Sequence, residues 1–240
     1  MVSKNQIKLI TSLQQKKYRL ANGLFFAEGP KVIAELLNSG FLLEHLYTIE
    51  GHFDTLQTAD KTIINEAELK KMSALTTPNS SLALFKFPIS AAIRETGLIV
   101  ALDDVRDPGN LGTILRLCDW FGISQLVCSS ECADIYNPKV VQASMGSIAR
   151  VRVNYTPLED FIRTTKLPVF GTFMDGRNIY KESLPKEGIV IFGNEANGIS
   201  SGVEKLLKHR LSIPRFGDLK LTESLNVATA AAIVLSEFRR

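Results

Sequence analysis

The second half of the chain is built around runs that are apolar without alternation, above all GLIVALD from Gly97 and GIVIFGN from Gly188. A strand with one wet face alternates apolar and polar residues. A strand that does not is suited to burial on both faces. SQLVCSS, RVRVNY and PVFGTF are also strand-like, and helix-like segments such as GTILRLCDWFG and PLEDFIRTT lie between several of them. This order predicts an α/β fold with a mostly parallel sheet and helices on both faces.

The first ninety residues read differently. In FFAEGPKVIAELLNSG a short strand, Leu24 to Ala27, turns through Gly29-Pro30 into a helix that stops at Asn38-Ser39-Gly40. Leu43 to Ile49, Thr62 to Ile64 and Leu82 to Phe87 are expected strands, with a helix from Glu66 to Met72. That makes a small α/β domain over residues 1–90. The pattern weakens between Pro88 and Thr96, and a second domain is expected over 97–240.

Ahead of the first strand, residues 4 to 20 read as one basic helix. Ile7, Ile10, Leu13 and Leu20 form its apolar stripe, while Lys4, Lys8, Lys16, Lys17 and Arg19 carry charge with no Asp or Glu among them. Such a face is either simply solvated or a contact for RNA phosphates.

With 240 residues, 45% of them hydrophobic, the chain can bury a core in each domain, and a net charge of +3 is compatible with a polyanionic partner without demanding one. The N-terminus lacks an apolar leader and no run is long enough to cross a bilayer, so no membrane association and a cytoplasmic location are expected. Cys118, Cys128 and Cys132 lack CxxC spacing, and His45, His52 and His209 are scattered. No metal site is expected; the cysteines read as core residues or free thiols.

The chemistry is carried by three loops. DVRDPGNLGTILR follows the strand GLIVALD and looks like a phosphate cradle, yet it has only Gly109 and Gly112 where a dinucleotide fingerprint needs GxGxxG. It also lacks the GxxxxGK[ST] of a P-loop, as does GNEANGIS. What remains is a turn and a helix, with Asn110 as a possible cap and Arg116 on an otherwise apolar helix. An Arg in such a place is expected at an anion or a cleft. In IVIFGNEANGIS a buried strand ends in Gly193-Asn194-Glu195, which puts a carboxylate at the edge where open α/β sheets bind ligands. LSIPRFGDLKLTESLNVATAAAIVLSEF runs from a short strand into an alanine-rich helix that needs a core or a partner subunit, with Thr222 or Ser224 as its expected N-cap.

Taken in order, these motifs resemble the SpoU (TrmH) family of RNA ribose 2′-O-methyltransferases within the SPOUT superfamily. The match rests on Asn110 and Arg116 in the first motif, Gly193, Glu195 and Gly198 in the second, and Ile213, Pro214, Ser224, Leu225 and Asn226 in the third, with VQASMGSIARVRV between the first two. The first ninety residues resemble the ribosomal-protein-like substrate-binding domain of many members. The loop RFGDLKLTE is longer than the family's compact form, which bears on the rim of the cofactor pocket.

The resemblance implies a C-terminal trefoil knot, which strand periodicity does not reveal, and a homodimer. It implies S-adenosylmethionine as cofactor, in a pocket built around Gly193, Ile213 and Leu225. Arg116, Asn110, Glu195, Ser224 and Asn226 take the catalytic positions, and RNA, ribosomal RNA first, is the substrate. Transfer RNA as substrate, or an inactive RNA-binding dimer of the same fold, are the alternatives.

Overall fold

A computed structural model describes residues 2–89, 91–217 and 224–240, and it divides into two compact units. The first consists of residues 1–90 together with 134–150, the second of 91–133 with 151–240.

The first unit opens with α1 (Lys4–Ser12), α2 (Lys16–Asn22), β1 (Leu24–Glu28) and α3 (Pro30–Asn38). β2 (Leu43–Thr48), β3 (Lys61–Ile63), α4 (Glu66–Met72) and β4 (Ser81–Lys86) complete its N-terminal part. The strands form a mixed sheet in the order β1-β4-β2-β3, in which only β2 and β3 run parallel. Ile10 and Leu13 pack with Phe26, Met72, Leu82 and Leu84 in its core.

The single helix expected over residues 4 to 20 is two helices. Gln15 is extended, at φ −99° and ψ 132°. The break has a use, because it turns the carbonyls of Leu13 and Gln14 onto the Arg19 guanidinium, which donates to them at 2.8 and 2.9 Å. Arg19 also donates to Asp134 through Nε and Nη2, at 3.1 and 2.5 Å, and is only 2% exposed. The expectation that Arg19 meets RNA is therefore corrected: its charge is spent inside the first unit. Lys4, Lys8, Lys16 and Lys17 remain exposed and form no ion pair among the described residues.

The second unit begins with β5 (Leu98–Leu102), α5 (Pro108–Trp120) and β6 (Gln125–Cys128). The chain then supplies α6 (Pro138–Ser144) to the first unit, where Tyr136 stacks on Phe87 with ring centroids 4.5 Å apart. It returns with β7 (Arg152–Tyr155), α7 (Leu158–Thr164), β8 (Val169–Asn178), β9 (Gly188–Phe192), α8 (Ser201–Glu204), β10 (His209–Ser212) and α9 (Val227–Arg239). Six strands form a wholly parallel sheet in the order β10-β8-β9-β5-β6-β7.

Both faces are covered, as the unbroken apolar runs require. Ile99, Ala101, Ile189 and Ile191 meet Phe161 and Ile162 of α7 and Val203 of α8. Because side chains alternate along a strand, Phe192 lies on the opposite face, where it shares a cavity with Val227, Ala230 and Val234 of α9. Phe170 of β8 meets Phe238 of α9 edge to face at 5.4 Å. β8 is longer than the expected PVFGTF because its second half pairs with β10 across a register shift. There the backbone of Leu211 lies 2.4 Å from where a Cβ on Gly176 would stand, so only glycine fits.

Cys118, Cys128 and Cys132 are buried free thiols. No described helix is long and apolar enough to cross a membrane, and no cluster of metal-ligating side chains occurs among the described residues. Of the long loop 215–223 and the N-cap expected at Thr222, residues 218–223 lie outside the described residues.

Candidate active site

The site grows from the start of two parallel helices. α5 and α9 are each 13 residues long and are tied to one another at both ends. At their starts Asn226 donates through Nδ2 to Asn110 Oδ1 at 2.9 Å. At their ends Arg239 donates to the carbonyls of Phe121 and Gly122 at 2.9 and 3.3 Å, which also satisfies groups a helix C-terminus leaves open.

Two capping expectations are corrected here. α5 is capped by Asp107, whose carboxylate accepts from the backbone N–H of Asn110 at 2.8 Å. This leaves the Asn110 side chain free to face the site. α9 is capped by Asn226 rather than Ser224, with Oδ1 accepting from Ala228 and Thr229 at 2.9 and 3.2 Å.

The second cap sets the direction of a relay. An Asn amide has its acceptor and its donors on opposite sides. With Oδ1 of Asn226 committed to the helix, Nδ2 points outward and can only donate, so Asn110 must present Oδ1 to it. The Nδ2 of Asn110 then faces Glu195, where it donates to Oε1 at 2.5 Å. Oε2 of Glu195 has no hydrogen bond among the described residues, and Glu195 is exposed.

Glu195 is displayed by a tight loop. Asn194 and Gly198 exchange two backbone hydrogen bonds of 2.9 Å, and Asn194 Oδ1 accepts from Ala196 and Asn197. The Nδ2 of Asn194 donates to the carbonyl of Asp104 at 2.8 Å, which ties the loop after β9 to the loop after β5. Gly193 has no room for a side chain, since a Cβ would stand 2.2 Å from the carbonyl carbon of Gly198. Asp103, buried, accepts from the N–H of Ser200 at 2.7 Å and closes the loop from below. Asn194, Asp103 and Asp107 were not singled out from the sequence. Asn194 sits inside GNEANG and was the most accessible of them, whereas the two aspartates show their roles only through partners far along the chain or at a helix start.

Beside this loop lies a cavity of about 1130 Å³. Gly193, Ile213 and Leu225, the three residues expected at a cofactor, all line it, with Glu195 and Ser224. Its walls are otherwise largely apolar, from Phe192, Ile199, Pro214, Val227 and Ala230; among the described residues, Glu195 and Arg215 are the only charged ones on them. Size, apolar walls and a closely approaching backbone at Gly193 fit an adenosine-bearing cofactor held without a conventional phosphate loop.

Arg116 is not part of this cluster. It lies six residues after Asn110, about 120° around α5 and about 9 Å along it. It is exposed and forms no hydrogen bond or ion pair among the described residues. It shares an outer stripe with Thr113 and Trp120, and Trp120 is 84% exposed.

The chain is similar to known proteins along nearly its whole length. Residues 97–236 match the SpoU rRNA Methylase family, and residues 4–83 match the MRM3-like substrate binding domain. The chain belongs to the SpoU family. It is 30% identical to the 23S rRNA (guanosine(2553)-2'-O)-methyltransferase RlmP of Bacillus subtilis, over 99% of this chain and 97% of the relative. A solved putative RNA methyltransferase of the TrmH family from Porphyromonas gingivalis is 40% identical, with a TM-score of 0.91 over 100% of this chain and 98% of that one. The AdoMet-bound rRNA methyltransferase of Sinorhizobium meliloti is 28% identical, with a TM-score of 0.86 over 100% and 96% of the two chains. The trefoil knot is implied by this membership.

Proposed function

We propose that this SpoU-family protein is an S-adenosylmethionine-dependent RNA 2′-O-methyltransferase acting on ribosomal RNA. The observation that carries this reading is the relay Asn226 to Asn110 to Glu195, which joins the three family motifs at the mouth of a cavity lined by Gly193, Ile213 and Leu225. The relatives act on ribosomal RNA by name, which supports that substrate over transfer RNA.

When bound, S-adenosylmethionine supplies a methyl carbon attached to a positively charged sulfur. Held by Gly193, Ile213 and Leu225, it would give that methyl carbon to the ribose 2′-oxygen as the sulfur leaves neutral, and the hydroxyl proton would pass to the Glu195 carboxylate and on to solvent. Glu195 accepts the hydroxyl's hydrogen bond on Oε2 while Asn110 holds Oε1 and thereby the carboxylate plane. Ser224, on the cavity wall, adds a hydroxyl for the ribose. The guanidinium of Arg116 carries donors and no acceptor, so it does not take the proton. Because it stands on the outer stripe of α5 and away from Glu195, its part in this reading is to orient the acceptor and stabilise the developing alkoxide in the site of the second copy that covers this stripe.

In this reading the protein is a homodimer, and the second copy covers the outer stripe of α5; the exposure of Trp120 supports that. The first unit docks RNA through phosphate contacts from Lys4, Lys8, Lys16 and Lys17.

The test is transfer of labelled methyl groups from S-adenosylmethionine to purified ribosomal and transfer RNA, followed by mapping of ribose methylation. A single methylated ribose in ribosomal RNA is the expected product. Label in transfer RNA alone would overturn the substrate, and none in either would overturn the activity.

A further inference from the structure

Away from the cavity described above, the first unit has a second hollow. It has a volume of about 590 Å³ and is lined by Asn5, Lys8, Leu9, Gln15 and Tyr18, with Thr11 and Ser12 at its side. The break between α1 and α2 creates it, since a continuous helix would present a convex surface here.

Its walls carry a consistent chemistry. Tyr18 is 39% exposed, and the Lys17 ammonium stands 4.7 Å from the centre of its ring. The hydroxyls of Thr11 and Ser12 are turned back to the helix carbonyls of Ile7 and Leu9, at 2.9 and 2.6 Å, so they offer no donor to a ligand. The side-chain amides of Asn5 and Gln15 are exposed and make no hydrogen bond among the described residues. Lys8 has no ion pair among the described residues, and no Asp or Glu occurs before Glu28 in the sequence.

A part-exposed aromatic ring with a cation over one face, two free amides and an ammonium match the three parts of an unpaired nucleotide. The ring stacks a base, each amide can pair with a base edge as donor and acceptor together, and the ammonium meets a phosphate. A duplex offers no free base face, and an acidic protein segment offers no flat base to stack on the ring. We propose that this hollow binds a single unpaired nucleotide of the RNA substrate, stacked on Tyr18, with Asn5 and Gln15 at the base edge and Lys8 at the phosphate. The inference rests on the RNA reading under Proposed function and adds to it a defined single-strand subsite.

The test uses the full-length protein with two probes, short oligouridylate and a blunt RNA duplex of equal length, followed by fluorescence anisotropy across a salt series. Tyr18→Ala should weaken oligouridylate binding by about tenfold, the size of one lost base–aromatic stack, while Tyr18→Phe should not. Lys8→Ala should lower the slope of log affinity against log salt by about one contact. Duplex binding should be indifferent to Tyr18. Unchanged oligouridylate affinity in Tyr18→Ala, or equal losses on both probes, would overturn the subsite. S-adenosylmethionine binding by calorimetry, on the same samples, separates the two readings. Cofactor binding and methyl transfer with no dependence on Tyr18 reject only the subsite, whereas failure to bind cofactor rejects the activity even where oligouridylate still binds through Tyr18.

Discussion

Replacing Asp134 with Ala tests the reading of Arg19 as a structural charge. Four hydrogen bonds hold the Arg19 guanidinium, two to the Asp134 carboxylate and two to the carbonyls of Leu13 and Gln14. Removal of the carboxylate leaves a cation that is 2% exposed with neutral acceptors only. Breaking a buried ion pair from one side costs about 3–5 kcal/mol. Asp134 itself keeps 16% exposure, so water can partly replace it, and the expected loss is the lower figure, about 3 kcal/mol. At a urea dependence of about 2 kcal/mol per molar, the midpoint for the first unit falls by about 1.5 M. The assay is urea unfolding followed by circular dichroism, with hydrogen exchange on peptides from α2 and β1 to locate the loss. The pair Arg19→Met with Asp134→Leu should cost less than Asp134→Ala alone, because no charge is then left to bury. A midpoint within about 0.3 M of the parent for Asp134→Ala, with α2 exchange unchanged, would refute the reasoning.

At the site, Arg116→Ala should keep S-adenosylmethionine binding by calorimetry and lose about a hundredfold or more in labelled methyl transfer; full activity in Arg116→Lys would show that a point charge suffices without a planar fork. Asn226→Asp is the sharper probe of the relay, because aspartate still caps α9 but has no donor for Asn110 Oδ1. Thermal stability should hold while methyl transfer drops, and equal activity would show that the relay direction does not matter. Glu28, buried and accepting from the Ala74 N–H and the Ser73 hydroxyl, has its pKa raised above 4.5 by burial, against the lowering from those hydrogen bonds. The folded state then holds the proton more tightly than the unfolded one. Its contribution is complete below the unfolded pKa and is lost as pH rises through the folded value. Urea midpoints of Glu28→Gln should therefore improve relative to the parent as pH rises across that window, and a constant difference would count against the shift.

The parallel sheet was legible because its signal is local. Runs such as LIVAL and IVIF have a composition that only a strand covered on both faces can satisfy, and β5 and β9 are buried along their whole length. The helix from Glu66 to Met72 was legible for the same reason, with its Asn65 and Glu68 capping pair a few residues apart. Three loops at one sheet edge, and the residues Gly193, Glu195, Ile213 and Leu225 around one cavity, also followed from order along the chain together with the family resemblance.

Periodicity could not show what depends on partners far away. Arg19 reads as one more exposed cation on a basic helix until Asp134, 115 residues later, folds against it and the helix breaks to offer two carbonyls. Asn110 reads as a helix cap until Asn226 and Glu195, 116 and 85 residues away, settle which way its amide faces. Residues 134–150 lie inside the stretch matched by the methylase family yet pack with the first unit. Residue types and spacing determined most of the elements and, with the family resemblance, pointed to most of the residues gathered around the cavity. The orientation of a hydrogen bond and the burial of a charge are decided by whichever groups the folded chain brings into contact, and only the tertiary structure contains those.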